Sequence, residues 1–174
     1  MKTIGIAEFN NIPEGLKNLD MVLKKANVTI YKAGVTCPGK YYFIVYGENE
    51  DVKSAFQEVA GEIKFEIISG VSNKIIEILE KRAKKELGSS MGIIEFFTIS
   101  ESVKALDMIL KSNAVETLKL ILGNGIAGKS YFVITGDISS VTEAVNSIDE
   151  KIRYREKSLI NNPDKNIIKF IWYR

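Results

Sequence analysis

Two short stretches carry the residues with chemistry to offer. The first is Lys32–Gly47, KAGVTCPGKYYFIVYG, which reads as strand, tight loop and strand, with the chain's one cysteine, Cys37, at the tip before Pro38 and Gly39. A free cysteine is most often a small buried hydrophobe, but side chains at a hairpin tip are exposed and the backbone there bends sharply. A thiol in that setting is suited to reactivity or ligation. Thiolates take iron–sulfur clusters, zinc or Cu(I), and residue type alone leaves these and an unliganded thiol open. One thiolate cannot hold a 4Fe–4S cluster, which takes four cysteine ligands.

The second stretch is Lys119–Gly136, KLILGNGIAGKSYFVITG, the same framework with a longer glycine-rich loop and no cysteine. Gly123, Gly125 and Gly128 fit G-x-G-x-x-G, and Gly123 with Gly128-Lys129-Ser130 fits the P-loop pattern, in which backbone amides cradle a phosphate and Lys129 would neutralise it. Both motifs require a helix directly after the glycines. The next residues here are Tyr131-Phe132-Val133-Ile134-Thr135, aromatic and β-branched, which predicts a strand. A hairpin loop is the favoured reading, with its glycines letting backbone approach an axis or ligand, or only relieving a tight turn.

Composition removes whole classes of function. The chain has 174 residues, 45% of them hydrophobic and 26% charged, which is ordinary for a soluble globular protein. It has no histidine, so a Ser–His–Asp triad or a histidine zinc site within one chain is excluded. One cysteine excludes an intrachain disulfide framework and fits a reducing cytoplasm. The net charge of +2, with bases and acids interspersed, argues against nucleic acid as a partner. The basic run Lys81–Lys85 is broken by Ala83 and reads as a solvated helix end. No apolar run approaches the roughly 20 residues that span a bilayer, so no membrane is expected. The opening MKTIGIAEFN meets Glu8 before a signal-peptide core could form.

The elements that must position the two loops come from an internal repeat. Laying Gly5 over Gly92, a shift of 87, aligns GIAEFNNIPEGLKNLDMVLKKANVTIYK with GIIEFFTISESVKALDMILKSNAVETLK. Glu8/Glu95, Phe9/Phe96, Leu19/Leu106, Asp20/Asp107, Met21/Met108 and Lys24/Lys111 are among the identical pairs. Two extra residues in the second loop move the shift to 89, after which Gly39-Lys40 falls on Gly128-Lys129 and Gly47 on Gly136. The chain is therefore read as two copies of one domain, residues 1–86 and 87–174, joined near Lys84–Ser90. Each copy predicts a strand (Thr3–Phe9; Met91–Phe97) and then a helix. The first helix spans Pro13–Ala26, with Leu16, Leu19, Leu23 and Ala26 at helical spacing; the second carries Val103, Leu106, Ile109 and Leu110. Two strands flank the focal loop. Next come a helix (Asn49–Ala60; Ser139–Ile152), a strand (Phe65–Ser69; near Lys157–Ile160) and a closing helix (Asn73–Lys84; Asp164–Tyr173). Strands alternating with helices at this length predict two small α/β sandwiches, each a largely antiparallel sheet with helices on one face.

These residues resemble tandem-domain bacterial microcompartment (BMC) shell proteins. The opening GIAEFNNIPEGLKNLDMVLKKANV is similar to that family's GxxE strand, its helix with an Asp-Met pair and its Lys-x-Ala-Asn-Val ending. The strand ends Val45-Tyr46-Gly47-Glu48 and Ile134-Thr135-Gly136-Asp137 also match. The loop Thr36-Cys37-Pro38-Gly39-Lys40 is most similar to propanediol-utilisation-type shell proteins with a pore iron–sulfur cluster. The resemblance implies two ferredoxin-like BMC domains and a homotrimer imitating a hexagonal tile. Its central pore would be lined by Thr36, Cys37, Pro38 and Gly39 and by Gly123, Asn124, Gly125, Ile126, Ala127 and Gly128. Three copies of Cys37 would supply three thiolates to one 4Fe–4S cluster per trimer, as metal and cofactor ligands. Lys24 and Lys111 fall on the family's tile-edge lysine, and the Pro-Arg-Pro-like edge turn is replaced by Gly70–Lys74 and Asn161–Lys165. Implied partners are other shell proteins and encapsulated redox enzymes, the implied location is the microcompartment shell in the cytoplasm, and no catalysis of its own is expected. Two alternatives stay in view: a P-loop nucleotide-binding protein using Lys129 and Ser130, and a small tandem α/β ligand-binding regulator.

Overall fold

The central strand of each repeat departs from simple alternation. In β1 (Lys2–Phe9) every residue from Thr3 to Phe9 is buried, so both faces of the strand are covered. The computed structural model describes residues 2–80, 86–123, 125–148 and 152–172. Lys81–Lys85, Asn124, Tyr173 and the start of the join near Lys84–Ser90 lie outside those residues. After β1 come α1 (Ile12–Lys25), β2 (Thr29–Thr36), β3 (Lys40–Glu48), α2 (Asn49–Phe56), β4 (Glu62–Ile68) and α3 (Asn73–Leu79). The order then repeats as β5 (Ser90–Phe96), α4 (Ile99–Ser112), β6 (Glu116–Leu122), β7 (Ser130–Gly136), α5 (Ile138–Asn146), β8 (Glu156–Asn161) and α6 (Ile167–Trp172). The strands form two four-stranded sheets, β2-β3-β1-β4 and β6-β7-β5-β8, and every pairing is antiparallel. This is the α/β class and strand–helix order expected from the sequence.

Two compact units result, and they do not follow the halves of the chain. The first comprises residues up to Val71 together with Thr98–Ser100 and Gly123–Gly128. The second comprises Ser72–Phe97, Glu101–Leu122 and the chain from Lys129 onward.

In the first unit Ala7 and Phe9 of β1 share a core with Leu19 and Val22 of α1, Phe43 and Val45 of β3, and Val52, Ala55 and Phe56 of α2. Gly5 points the same way. A Cβ there would lie 2.4 Å from the Phe56 ring, so the glycine of the GxxE strand lets α2 rest directly on the central strand. Gly92 does the same in the second unit, where a Cβ would come within 2.6 Å of Val145 on α5. On the opposite face of that sheet Met91, Leu118 and Val133 pack beneath Ile167 and Ile171 of α6.

Asn11 caps α1 by accepting from the Glu14 N–H at 2.9 Å, with Pro13 in the first turn, where its missing N–H costs nothing. Gly15 abuts Tyr41, which would lie 2.6 Å from a Cβ. The second repeat has Ser102 and Ser130 at these places, and their hydroxyls lie 2.6 Å apart, so a buried polar pair stands where the first repeat packs a ring on a glycine.

Several boundaries differ from expectation for identifiable reasons. The helix expected over Asn49–Ala60 ends at Phe56, because Asn18 holds the Ala60 backbone through both its N–H and its carbonyl, each at 3.1 Å, and the chain reverses at Gly61 with φ 76°. α5 likewise ends at Asn146 rather than Ile152, with the Ser147 hydroxyl donating to the Ala144 carbonyl. The face of α1 that goes inward is Gly15, Asn18, Leu19 and Val22. Leu16 and Leu23, expected in the core, are 49% and 40% exposed. Their counterparts in α4, Val103 and Leu110, are buried together with Leu106 and Ile109.

Candidate functional site

The β2–β3 loop and the β6–β7 loop come together within the first unit. Thr36, last residue of β2, is buried and its hydroxyl donates to the Gly123 carbonyl at 2.5 Å. The backbone then turns through a cis Cys37–Pro38 peptide and Gly39 at φ 105°, with the Gly39 N–H donating to the Thr36 carbonyl at 3.0 Å. Cys37 carries a free, exposed thiol at this tip.

The neighbouring loop is built from left-handed residues: Gly123 at φ 77°, Gly125 at 72°, Ala127 at 54° and Gly128 at 74°. Two of these glycines are also required by space. A Cβ on Gly123 would sit 2.6 Å from the Thr36 hydroxyl, and one on Gly128 would sit 2.7 Å from the Cys37 carbonyl and 3.1 Å from Lys40 Cδ. The glycines are thus explained by close approach of one loop to the other. Gly125 and Ala127 are exposed and Ile126 half-buried; Asn124 lies outside the described residues.

Beneath the loops Glu8, at the end of β1, is buried. It accepts from the Ile99 N–H at 3.0 Å, the Ser100 N–H at 2.7 Å and the Ser100 hydroxyl at 2.7 Å. These N–H groups are the first two of α4, which its own backbone leaves unpaired, and a carboxylate there also meets the positive end of the helix dipole. Burial nevertheless outweighs these bonds and raises the Glu8 pKa above 4.5. Tyr42, directly opposite Glu8 in the β1–β3 register, is pushed up to about 12, by burial first and by the Glu8 charge second.

The nucleotide-binding alternative does not survive the geometry. The residues after Gly128 enter strand β7 rather than a helix, so no helix N-terminus faces a phosphate. Lys129 pairs with Glu95 at 2.9 Å, and Ser130 is fully buried with its hydroxyl donating to the Ile121 carbonyl at 2.5 Å. Glu95 also accepts from Arg155 at 2.6 Å. The bond from Lys129, ahead of that from Arg155, holds the Glu95 carboxyl below its usual value.

The two lysines read as tile-edge residues sit at the ends of α1 and α4. Lys24 pairs with Asp20 at 2.7 Å on an open surface. Lys111 pairs with Asp107, which is buried and also accepts from the Ser72 N–H at 2.8 Å, before α3. Sequence reasoning brought out the Thr36–Lys40 loop with Cys37 and the glycine loop but gave no role to Glu8 or Ser100. The available signal for Glu8 was its place at the end of an otherwise apolar strand, opposite a tyrosine.

A tandem of antiparallel α/β domains with a shared pair of β-hairpin loops defines a class. The family model of the BMC domain matches residues 3–78 and again 90–163, and the chain belongs to that family as a shell protein with two BMC domains in tandem. It is similar to the bacterial microcompartment shell protein PduT of Citrobacter freundii, with 26% identity over 175 residues, 95% of each chain. The crystal structure of a microcompartment protein from Desulfitobacterium hafniense DCB matches with TM-score 0.85 and 29% identity, covering 97% of this chain and 99% of that one. The fused permuted hexameric shell protein MSM0275 from the RMM microcompartment matches with TM-score 0.59 and 18% identity, covering 83% of this chain and 80% of that one, a likeness of fold alone. Among the described residues no helix is long and apolar enough to cross a membrane.

Proposed function

We propose that the chain is a trimeric, pseudohexagonal shell tile whose central pore carries a 4Fe–4S cluster on three copies of Cys37. The observation that carries this reading is the pairing of two unlike loops in one compact unit, one with an exposed thiol and one of glycine-rich backbone. Three chains about a three-fold axis would alternate these loops around one opening. The exposure pattern supports the three-fold arrangement. Leu16 and Leu23 leave α1 with an apolar face open to solvent, while the same face of α4 is buried in each chain. An open face whose repeat is closed elsewhere on the molecule is what a head-to-tail ring of copies requires.

The donor set is compatible with a cluster only in such a ring. Among the described residues of one chain no group of three cysteine, aspartate or glutamate side chains could hold a metal. Three exposed Cys37 thiolates would leave one iron for an outside ligand, and a bound cluster would supply one-electron redox chemistry. The tile's role is then passage of electrons, or delivery of a cluster, across the shell, while the wall confines a reactive intermediate and the chain performs no substrate chemistry. Other shell proteins at the tile edge, near Lys24 and Lys111, and enclosed redox enzymes are its partners in this reading.

The test is anaerobic purification and then visible spectroscopy and assays of iron, sulfide, zinc and copper, in parallel with Cys37→Ser. The expected result is broad absorbance near about 400 nm with roughly four irons per trimer, absent from the mutant. A colourless trimer without iron after cluster reconstitution would leave Cys37 an ordinary thiol in a passive tile. Stoichiometric zinc or copper would replace the cluster by another thiolate metal.

A further inference from the structure

The repeat contains a template for a contact that one chain cannot make by itself. In the first unit the Glu8 carboxylate receives the first turn of α4 through the Ile99 N–H, the Ser100 N–H and the Ser100 hydroxyl. Under the shift of 87, Glu8 corresponds to Glu95, Ile99 to Ile12 and Ser100 to Pro13. In the second unit the Glu95 oxygens are held instead by Lys129 at 2.9 Å and Arg155 at 2.6 Å. In the ring of copies described above, the counterpart of the α4 turn is the first turn of α1 from the neighbouring chain. That turn keeps only one of the three donors, the Ile12 N–H, because proline has neither an N–H nor a hydroxyl.

We propose that Glu95, Lys129 and Arg155 form the seat for residues 11–13 of a second copy of this chain, with the two basic side chains supplying the donors that Pro13 removes. The proposal rests on the trimeric reading. Its second support is the open stripe of Leu16 and Leu23, on the same helix as Pro13, against the buried Val103 and Leu110. The Glu8 latch and the Glu95 seat occupy equivalent places but differ in chemistry. The latch is buried and uses backbone and hydroxyl donors, whereas the seat uses partly exposed ion pairs, which salt screens. Assembly of the ring is therefore salt-sensitive in a way that folding of the chain is not.

The test measures oligomeric state by analytical ultracentrifugation against protein and salt concentration, with circular dichroism and melting recorded for each variant. Glu95→Gln and Arg155→Ala are expected to raise the half-assembly concentration by about tenfold or more, the scale of a charge-assisted hydrogen bond, and to flatten its salt dependence. Pro13→Ser restores the donors of Ser100 and is expected to strengthen assembly about tenfold when Glu95 is present and not at all in Glu95→Gln. Equal effects of Pro13→Ser in both backgrounds overturn the proposal, as does a trimer indifferent to Glu95→Gln. Should Glu95→Gln not fold, a Pro13→Ser gain that is larger in Arg155→Ala than in the wild type supports the seat, because the serine then supplies the donors that Arg155 gave, and a gain that is unchanged or lost there overturns it. A chain that stays monomeric under all conditions overturns the trimeric reading itself, an outcome distinct from a trimer that ignores these residues.

Discussion

Two helices built from nearly the same letters behave differently in the two repeats. α1 and α4 share the Leu-Asp-Met core of their sequence, yet α4 buries Val103, Leu106, Ile109 and Leu110 while α1 leaves Leu16 and Leu23 half-exposed. Asp107 is buried and accepts the Ser72 N–H, whereas Asp20, its counterpart, faces solvent and pairs with Lys24. At the strand before each helix, Glu8 is buried against a helix start with its pKa raised, and Glu95 is ion-paired with its pKa lowered. Duplication copies residues but not their surroundings. One repeat meets its neighbouring elements within the chain, and its twin faces solvent.

Truncation of matched leucines is the sharpest way to break this comparison. Leu110→Ala should cost about 2–4 kcal/mol in denaturant unfolding of the dilute chain, as for a buried leucine. Leu23→Ala should cost well under about 1 kcal/mol under the same conditions. Equal losses would mean that the two helices have equivalent environments after all. The aspartates are expected to differ less. Asp107→Ala leaves the Ser72 N–H without its acceptor and should cost about 1–3 kcal/mol; Asp20→Ala, losing only an exposed pair, should cost no more than about 0.5 kcal/mol. Denaturation midpoints of the two variants, measured side by side, check this.

The smallest effects lie in pH dependence, where the two glutamates have opposite signs. The Glu8 value is higher folded than unfolded, so its favourable contribution is present below about pH 4.5 and is lost as pH rises through the folded value. The Glu95 value is lower folded than unfolded, so its contribution is present above about pH 4.5 and is lost as pH falls through the folded value. The difference in unfolding free energy between wild type and Glu8→Gln should therefore shrink as pH rises from about 4.5. The difference for Glu95→Gln should shrink as pH falls below that point. Parallel slopes for the two variants would contradict the contrast.

Much of this was legible in the residues alone. Local periodicity, turn residues and the self-match at shifts of 87 and 89 determined two α/β repeats, their element order and the hairpin nature of Gly123–Lys129. These rest on short-range rules: alternation, capping and the strand-forming run after the glycines. The same rules put Cys37 on an exposed tip. Helix ends were less legible, because α2 stops where Asn18, far away in sequence, captures the Ala60 backbone. Leu16 and Leu23 fit an inward stripe by spacing alone. Which side of an amphipathic helix goes inward depends on what packs against it, and here Gly15 and Asn18 take that place against Tyr41 and Ala60.

By itself, the sequence determined the duplication, the fold class, the lone thiol and the absence of histidine chemistry, since each is a matter of residue type and near-neighbour spacing. Only the tertiary structure decided that Gly123 and Gly128 are small to admit Thr36 and Cys37, that Glu8 holds the start of α4, and that Lys129 is committed to Glu95 rather than to a phosphate. These are contacts between residues dozens of positions apart, made through space, where identical letters in the two repeats meet different neighbours.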